Sequence, residues 1–182
     1  MILTAAHCGE IPSSIVIGRY NLNEVDDDYE TFYGAKEIRH PDFEEETVNN
    51  DYLLIVLDGV SRFPSIILNS DENLPLPGEA LVVMGWGDID ASDSVQTTSE
   101  YLRETTVLYM SSEQCELSEG LVQTVQGPTM GYYQGGISSN MMCAVDDVGT
   151  ASDACQGDSG GALVYPGDAE DGSEDIQVGI VR

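Results

Sequence analysis

Apolar residues along this chain come in short runs, not in long periodic segments. Ser14–Ile17, Tyr52–Leu57, Ser65–Leu68, Ala80–Met84, Glu104–Met110, Ala162–Tyr165 and Ile176–Val181 are rich in Val, Ile, Leu and Tyr. Those residues fit a pleated, half-buried surface, so each run predicts a strand. Turn formers separate them: LPLPG at 74–78, Gly127–Pro128 and Pro166–Gly167. No long segment repeats its apolar residues every 3.6 positions. SSEQCELSE, Ser111–Glu119, predicts one small helix, with Ser-Ser ahead of Glu as its cap. Many short strands between regular turns predict an all-β protein, barrel or sandwich. There is no internal repeat and no low-complexity tract.

Composition narrows the partners more than the fold. The chain has 182 residues, 41% of them hydrophobic, which is enough for a core in one domain or two small ones. Its 33 acidic residues against 6 basic ones give a net charge of −27, and Lys36 is the only lysine. Such a surface repels nucleic acid and anionic membranes and attracts cations. The acidic run Glu24–Glu30 (EVDDDYE) resists burial and predicts an exposed loop. No apolar run approaches the ~20 residues that span a bilayer. No basic stretch followed by a long apolar one opens the chain, so no signal peptide is visible. The four cysteines, Cys8, Cys115, Cys143 and Cys155, lack C-x-x-C spacing, and the only histidines are His7 and His40. That set argues against zinc and for disulfides in an oxidising compartment.

The candidate chemistry centres on GDSGG, residues 157–161. A glycine-rich stretch around a serine is either a turn or a loop presenting a nucleophile. It also fits G-x-S-x-G, the nucleophile elbow of α/β-hydrolases, but that fold needs a histidine after the serine. None follows Gly161. Upstream, His7 lies in LTAAHC (3–8) and Asp51 opens the apolar run DYLLIVL (51–57), so the chain order is His, Asp, Ser. In isolation Asp51 reads as a strand-entry turn residue beside Asn49 and Asn50. His40, Asp42 and Asp58 read as structural, and Trp86 as core packing.

LTAAHC, NNDYLLIVL (49–57) and DACQGDSGGAL (153–163), in that order, resemble the three catalytic segments of the trypsin/chymotrypsin-like serine proteases. RHPDF (39–43), GWG (85–87), MCA (142–144) and VGIV (178–181) match smaller family marks. The resemblance covers nearly the whole chain. It implies two antiparallel Greek-key β-barrels, incomplete at both termini here, with residues of about 1–90 carrying His and Asp and about 91–182 carrying Ser.

It further implies a serine endopeptidase in which His7 is the general base, Asp51 orients it, and Ser159 attacks and becomes acylated. The backbone N–H groups of Gly157 and Ser159 would bind the oxyanion. Asp153, six residues before Ser159, matches the base of the primary pocket and implies cleavage after Arg or Lys. Asp158 would form the buried ion pair with the amine that zymogen activation releases. The family pattern also implies one disulfide within this chain, Cys115–Cys143, the usual partners of Cys8 and Cys155 lying in segments absent from it. Expected partners are peptides and proteins with basic residues, and protease inhibitors. The expected setting is extracellular, as a monomer, with no nucleic acid or membrane partner. No cofactor is expected; calcium is a candidate only because family members bind it in the loop matching Glu24–Glu30, where Arg19 falls near an acidic ligand's place. The alternative is a catalytically incompetent protease-like fragment that binds peptides without cutting them.

Overall fold

Strand follows strand along almost the whole of a computed structural model that describes residues 1–9, 13–24, 28–90, 96–122, 129–146 and 153–182. β1 (Ile2–Thr4) leads through a 3-10 turn at Ala6–Cys8 to β2 (Ile15–Ile17), β3 (Glu30–Phe32), β4 (Gly34–Arg39), β5 (Leu53–Leu57), β6 (Ile67–Leu68), β7 (Ala80–Gly85) and β8 (Arg103–Met110). A five-residue helix, α1 (Ser112–Glu116), precedes β9 (Glu119–Val122), β10 (Thr129–Tyr132), β11 (Cys143–Asp146), β12 (Ala162–Tyr165) and β13 (Ile176–Ile180). The helix starts where its cap was expected: the Ser111 hydroxyl accepts the Gln114 N–H. The Gly127–Pro128 turn lies outside the described residues, as do residues 25–27 of the acidic run.

Among the described residues the strands form four sheets: β1-β5-β4, β2-β3, β9-β10 and the six-stranded β11-β8-β7-β12-β13-β6. The all-β expectation holds, but no sheet closes into a barrel. Closure needs every edge strand to find a ladder partner, and β1, β4, β11 and β6 each pair on one side only. The antiparallel expectation also has one exception. β6 runs parallel to β13, Ile67 opposite Ile176 and Leu68 opposite Gln177. No short turn joins these two strands, so nothing in the connection imposes the antiparallel sense. The six-stranded sheet takes β6 and β7 from before residue 91.

Two apolar clusters hold the sheets. Leu81, Val83, Val107 and Leu163 pack inside the six-stranded sheet, with Leu81 fully buried. Ala6, Leu53 and Ile55 form the other, where β1 and the turn after it cover β5. In β5 the residues Leu53, Ile55 and Leu57 are buried and the alternate ones half-buried, as befits the middle strand of three. The Cys115–Cys143 disulfide expected from the family pattern is present and ties α1 to the start of β11. Cys8 and Cys155 are free thiols.

Opening that disulfide with a Cys115→Ser/Cys143→Ser pair removes a cross-link over 28 residues. The expected cost is about 3–4 kcal/mol on the chain-entropy account. Urea unfolding followed by tryptophan fluorescence should show a lower midpoint, and an unchanged midpoint would refute that role.

Candidate active site

The β1–β5 ladder sets up the first half of the site. Thr4 lies opposite Leu53, so the chain leaving β1 meets the chain entering β5. His7 and Asp51 sit on those two extensions. Ala5 and Ala6 are buried, because only small side chains fit where the turn closes over the β5 cluster. Asp51 then grips His7 twice: Oδ1 accepts the His7 backbone N–H at 2.8 Å, and Oδ2 lies 2.6 Å from the ring Nδ1. The carboxylate side chain is 14% exposed and the imidazole 31%. A proton on Nδ1 shared with Asp51 leaves Nε2 as a lone-pair acceptor.

Asn50, just before Asp51, has φ of 55°, a left-handed conformation that Asn tolerates. Its Nδ2 donates to the Asp42 carbonyl, and its Oδ1 accepts from Asn140 Nδ2 at 2.8 Å. Beside it, Ser138 donates its hydroxyl to Asn49 Oδ1. This amide network joins the Asp51 segment to the second half of the chain.

The Ser159 loop is held from three sides. Asp158 Oδ1 accepts the Gly87 N–H at 2.8 Å and Oδ2 accepts the Cys155 N–H at 2.9 Å. Gly160 N–H donates to the Val181 carbonyl, and Gly161 N–H to the Asp158 carbonyl. A carboxylate taken out of water needs donors, and the two backbone N–H groups supply them. Among the described residues no acceptor receives the N–H of Gly157 or of Ser159, while 158, 160 and 161 are all bonded. The two donors expected to bind an oxyanion are thus the two left over.

Three contacts bring the halves together. Thr4 Oγ1 donates to the Gly160 carbonyl at 3.1 Å, Cys8 Sγ lies 3.6 Å from the Ser159 carbonyl oxygen, and the same sulfur is 3.9 Å from His7 Nε2. The imidazole and the Ser159 backbone are therefore both within reach of one sulfur atom. Gly160 permits this approach: its φ is +84°, and a Cβ would lie 2.5 Å from Thr4 Oγ1 and 2.9 Å from Cys8 Sγ. Among the described residues no hydrogen bond joins His7 Nε2 to the Ser159 hydroxyl. Partial burial, followed by the nearby Asp51 charge, raises the Cys8 thiol above its ordinary pKa, against the opposing bond from Thr4.

Asp153 is exposed, and its Oδ1 accepts the Ala154 N–H at 2.7 Å. It lines an open cleft of about 1080 Å³ that also runs past Asp51, Asn140, Met142, Val178 and Arg182. Trp86 is half-buried and donates its indole N–H to the Tyr20 carbonyl, a packing role with one polar anchor. His40 accepts the Asp42 N–H and stays structural.

In the described part of the acidic loop the Asp28 and Glu30 side chains already have partners. Arg62 already donates to the Asp28 carbonyl and sits near the Glu30 carboxylate, which also takes the Ser61 hydroxyl. The Arg19 guanidinium lies over the Tyr29 ring. Among the described residues no group of three or more His, Cys, Asp or Glu could hold a metal ion, and no helix is long and apolar enough to cross a membrane.

Comparison with known proteins gives one family. The family model described as Trypsin matches residues 1–182. Trypsin I-P1 of Gallus gallus is 31% identical over 172 residues, an alignment covering 91% of this chain and 61% of that protein. Serine protease 1 of Homo sapiens is 30% identical over 170 residues, with the same two coverages. Anionic trypsin of Canis lupus familiaris is 28% identical over 171 residues, covering 93% and 62%. The chain thus spans about three fifths of the length of these curated relatives.

Two outcomes check this geometry. A Cβ on Gly87 would lie 2.5 Å from the Asp158 carboxylate, so Gly87→Ala should destabilise the fold by roughly 1–3 kcal/mol. That loss should shrink in an Asp158→Ala background if the clash is its cause; equal losses in both backgrounds would refute it. Second, the pH–rate profile of Cys8 alkylation, read by peptide mass spectrometry, should have a higher midpoint in the folded protein than in urea. The reverse order would contradict the raised pKa of the thiol.

Proposed function

Because the chain belongs to the trypsin family of serine proteases, we propose that the protein is a serine endopeptidase working through His7, Asp51 and Ser159. One observation carries the reading: the Asp51 carboxylate holds both the backbone and the ring N–H of His7, leaving Nε2, 3.9 Å from Cys8 Sγ, beside the loop that bears Ser159. Ser159 Oγ adds to the substrate carbonyl while Nε2 takes its proton. The tetrahedral oxyanion takes the unpaired N–H groups of Gly157 and Ser159. A donor of this kind is typically worth ~3–4 kcal/mol in the transition state. The C–N bond breaks, the amine leaves with the proton from His7, and Ser159 carries the acyl group. Water, deprotonated by the same nitrogen, then releases the acid.

Asp153 lies in the cleft and would pair with an Arg or Lys side chain of the substrate. The net charge of −27 would draw basic peptides from a distance, weakly at physiological salt. Asp158 already holds the loop through two N–H groups. The amine freed by zymogen activation would add a charge partner to that carboxylate. The Cys115–Cys143 bridge supports an extracellular setting. The second reading, a peptide-binding module without catalysis, draws its support from the missing hydrogen bond between His7 Nε2 and the Ser159 hydroxyl.

A fluorophosphonate probe separates the two. Catalysis predicts labelling that maps to Ser159, is lost in Ser159→Ala and falls about 10⁴-fold in Asp51→Asn. Labelling that survives Ser159→Ala, or none in the wild type, would leave only the binding reading. Asp153→Ser should abolish the preference for Arg and Lys esters while sparing the labelling.

A further inference from the structure

The oxygen just ahead of the Gly157 N–H is held by two donors from one hairpin. The Gln156 carbonyl accepts the Asp88 backbone N–H at 2.9 Å and the Gln96 side-chain Nε2–H at 3.0 Å. A carbonyl cannot donate, so the Gln96 atom facing it must be the amide nitrogen. Asp88 and Gln96 lie on opposite arms of that hairpin. Ile89 N–H donates to the Thr97 carbonyl, Asp88 Oδ1 accepts the Thr97 N–H, and Asp88 bridges to Thr98. The outgoing arm thus supplies a main-chain donor and the returning arm a side-chain donor to the same atom.

The geometry of a peptide group gives this grip a consequence. In a trans peptide the carbonyl and the following N–H point to opposite sides of the chain. Fixing the Gln156 oxygen against the hairpin therefore aims the Gly157 N–H away from it. Were the group to rotate by half a turn, the oxygen would point where the N–H now points, and a donor to the oxyanion would become a repelling acceptor. Asp88 N–H alone is one neutral bond against that rotation, and Gln96 doubles it. Its amide also packs against Gly157 itself, since Nε2 lies 3.1 Å from where a Cβ there would be.

We propose that Gln96 is a positioning residue, whose side-chain amide holds the Gln156–Gly157 peptide so that the Gly157 N–H faces the oxyanion. The inference rests on the serine-protease reading above. It makes one exposed side chain outside the three catalytic segments a determinant of the acylation rate.

Gln96→Glu is the sharpest variant, because it keeps the size and removes the donor. Gln96→Lys restores a donor. With an Arg-ester substrate, Gln96→Glu should lower kcat about 5–10-fold, the effect of one neutral hydrogen bond, with KM unchanged. Gln96→Lys should stay within about twofold of the wild type. Independently of activity, the Gln156 carbonyl ¹³C resonance should move upfield in Gln96→Glu and return in Gln96→Lys. An unmoved resonance, or a rise in KM alone, overturns the role of Gln96 and leaves the protease reading intact. A moved resonance in a protein that never labels at Ser159 sinks the protease reading and, with it, any oxyanion for Gln96 to serve.

Discussion

The carboxylate of Asp158 holds the chain just beyond β7 against the nucleophile loop. One oxygen takes the Gly87 N–H and the other the Cys155 N–H. Bonds to an ionised acceptor are stronger than neutral ones, and a half-buried charge cannot give them up cheaply. Much follows from that single group. The residues around it must leave it room, which is why GWG carries glycine at 85 and 87. The loop is stapled at 158, 160 and 161, so the bonding capacity of 157 and 159 is what remains to face a ligand. On the proposed mechanism, an anion at the centre of the loop would organise donors for a second anion that exists only during reaction.

Around the site, the segments bearing His7 and Asp51 meet those from the second half of the chain through polar atoms. The apolar clusters are separate, one around Leu81 and one around Leu53. Between them lie the Thr4 hydroxyl, the Cys8 sulfur and the amides of Asn49, Asn50 and Asn140. Small directional contacts fix the relative position of these segments. A charge of −27 spread over both halves pushes them apart, so this junction is the part of the molecule that added salt should favour.

Much of this was legible in the residues, and the gaps have physical causes. Tyr52–Leu57, Ala80–Met84, Glu104–Met110 and Ala162–Tyr165 are dense in β-formers, and each lies on a strand within two residues of the expected bounds. β4 escaped notice because GAKEIR has no alternating apolar face and is almost wholly exposed. β1, β3 and β11 are short and mix apolar with polar or small residues, so no unbroken run of β-formers marks them. Barrel closure depends on which edges find partners, and no local propensity encodes that. For the site, the three motifs bearing His7, Asp51 and Ser159, and the family resemblance they carry, pointed to the chemistry, and the Asp51–His7 contact follows from the β1–β5 register. Asn140 and Gln96 carried no signal, and Thr4 none beyond its place in LTAAHC. Each is an ordinary polar residue whose role comes from the carbonyl or amide it happens to face.

The parallel pair of β6 and β13 brings Ile67 beside Ile176, across more than a hundred residues of intervening chain. β7 likewise waits for β12, with Val83 opposite Leu163. During synthesis β6, β7 and β8 leave the ribosome with two ladder edges and the Leu81 face uncovered, and no local segment can shield them. Such late-closing topology slows folding and lengthens the exposure of sticky surface. The acidic coat then serves the nascent chain as much as the finished one, since mutual repulsion keeps half-made copies from pairing their open edges with each other.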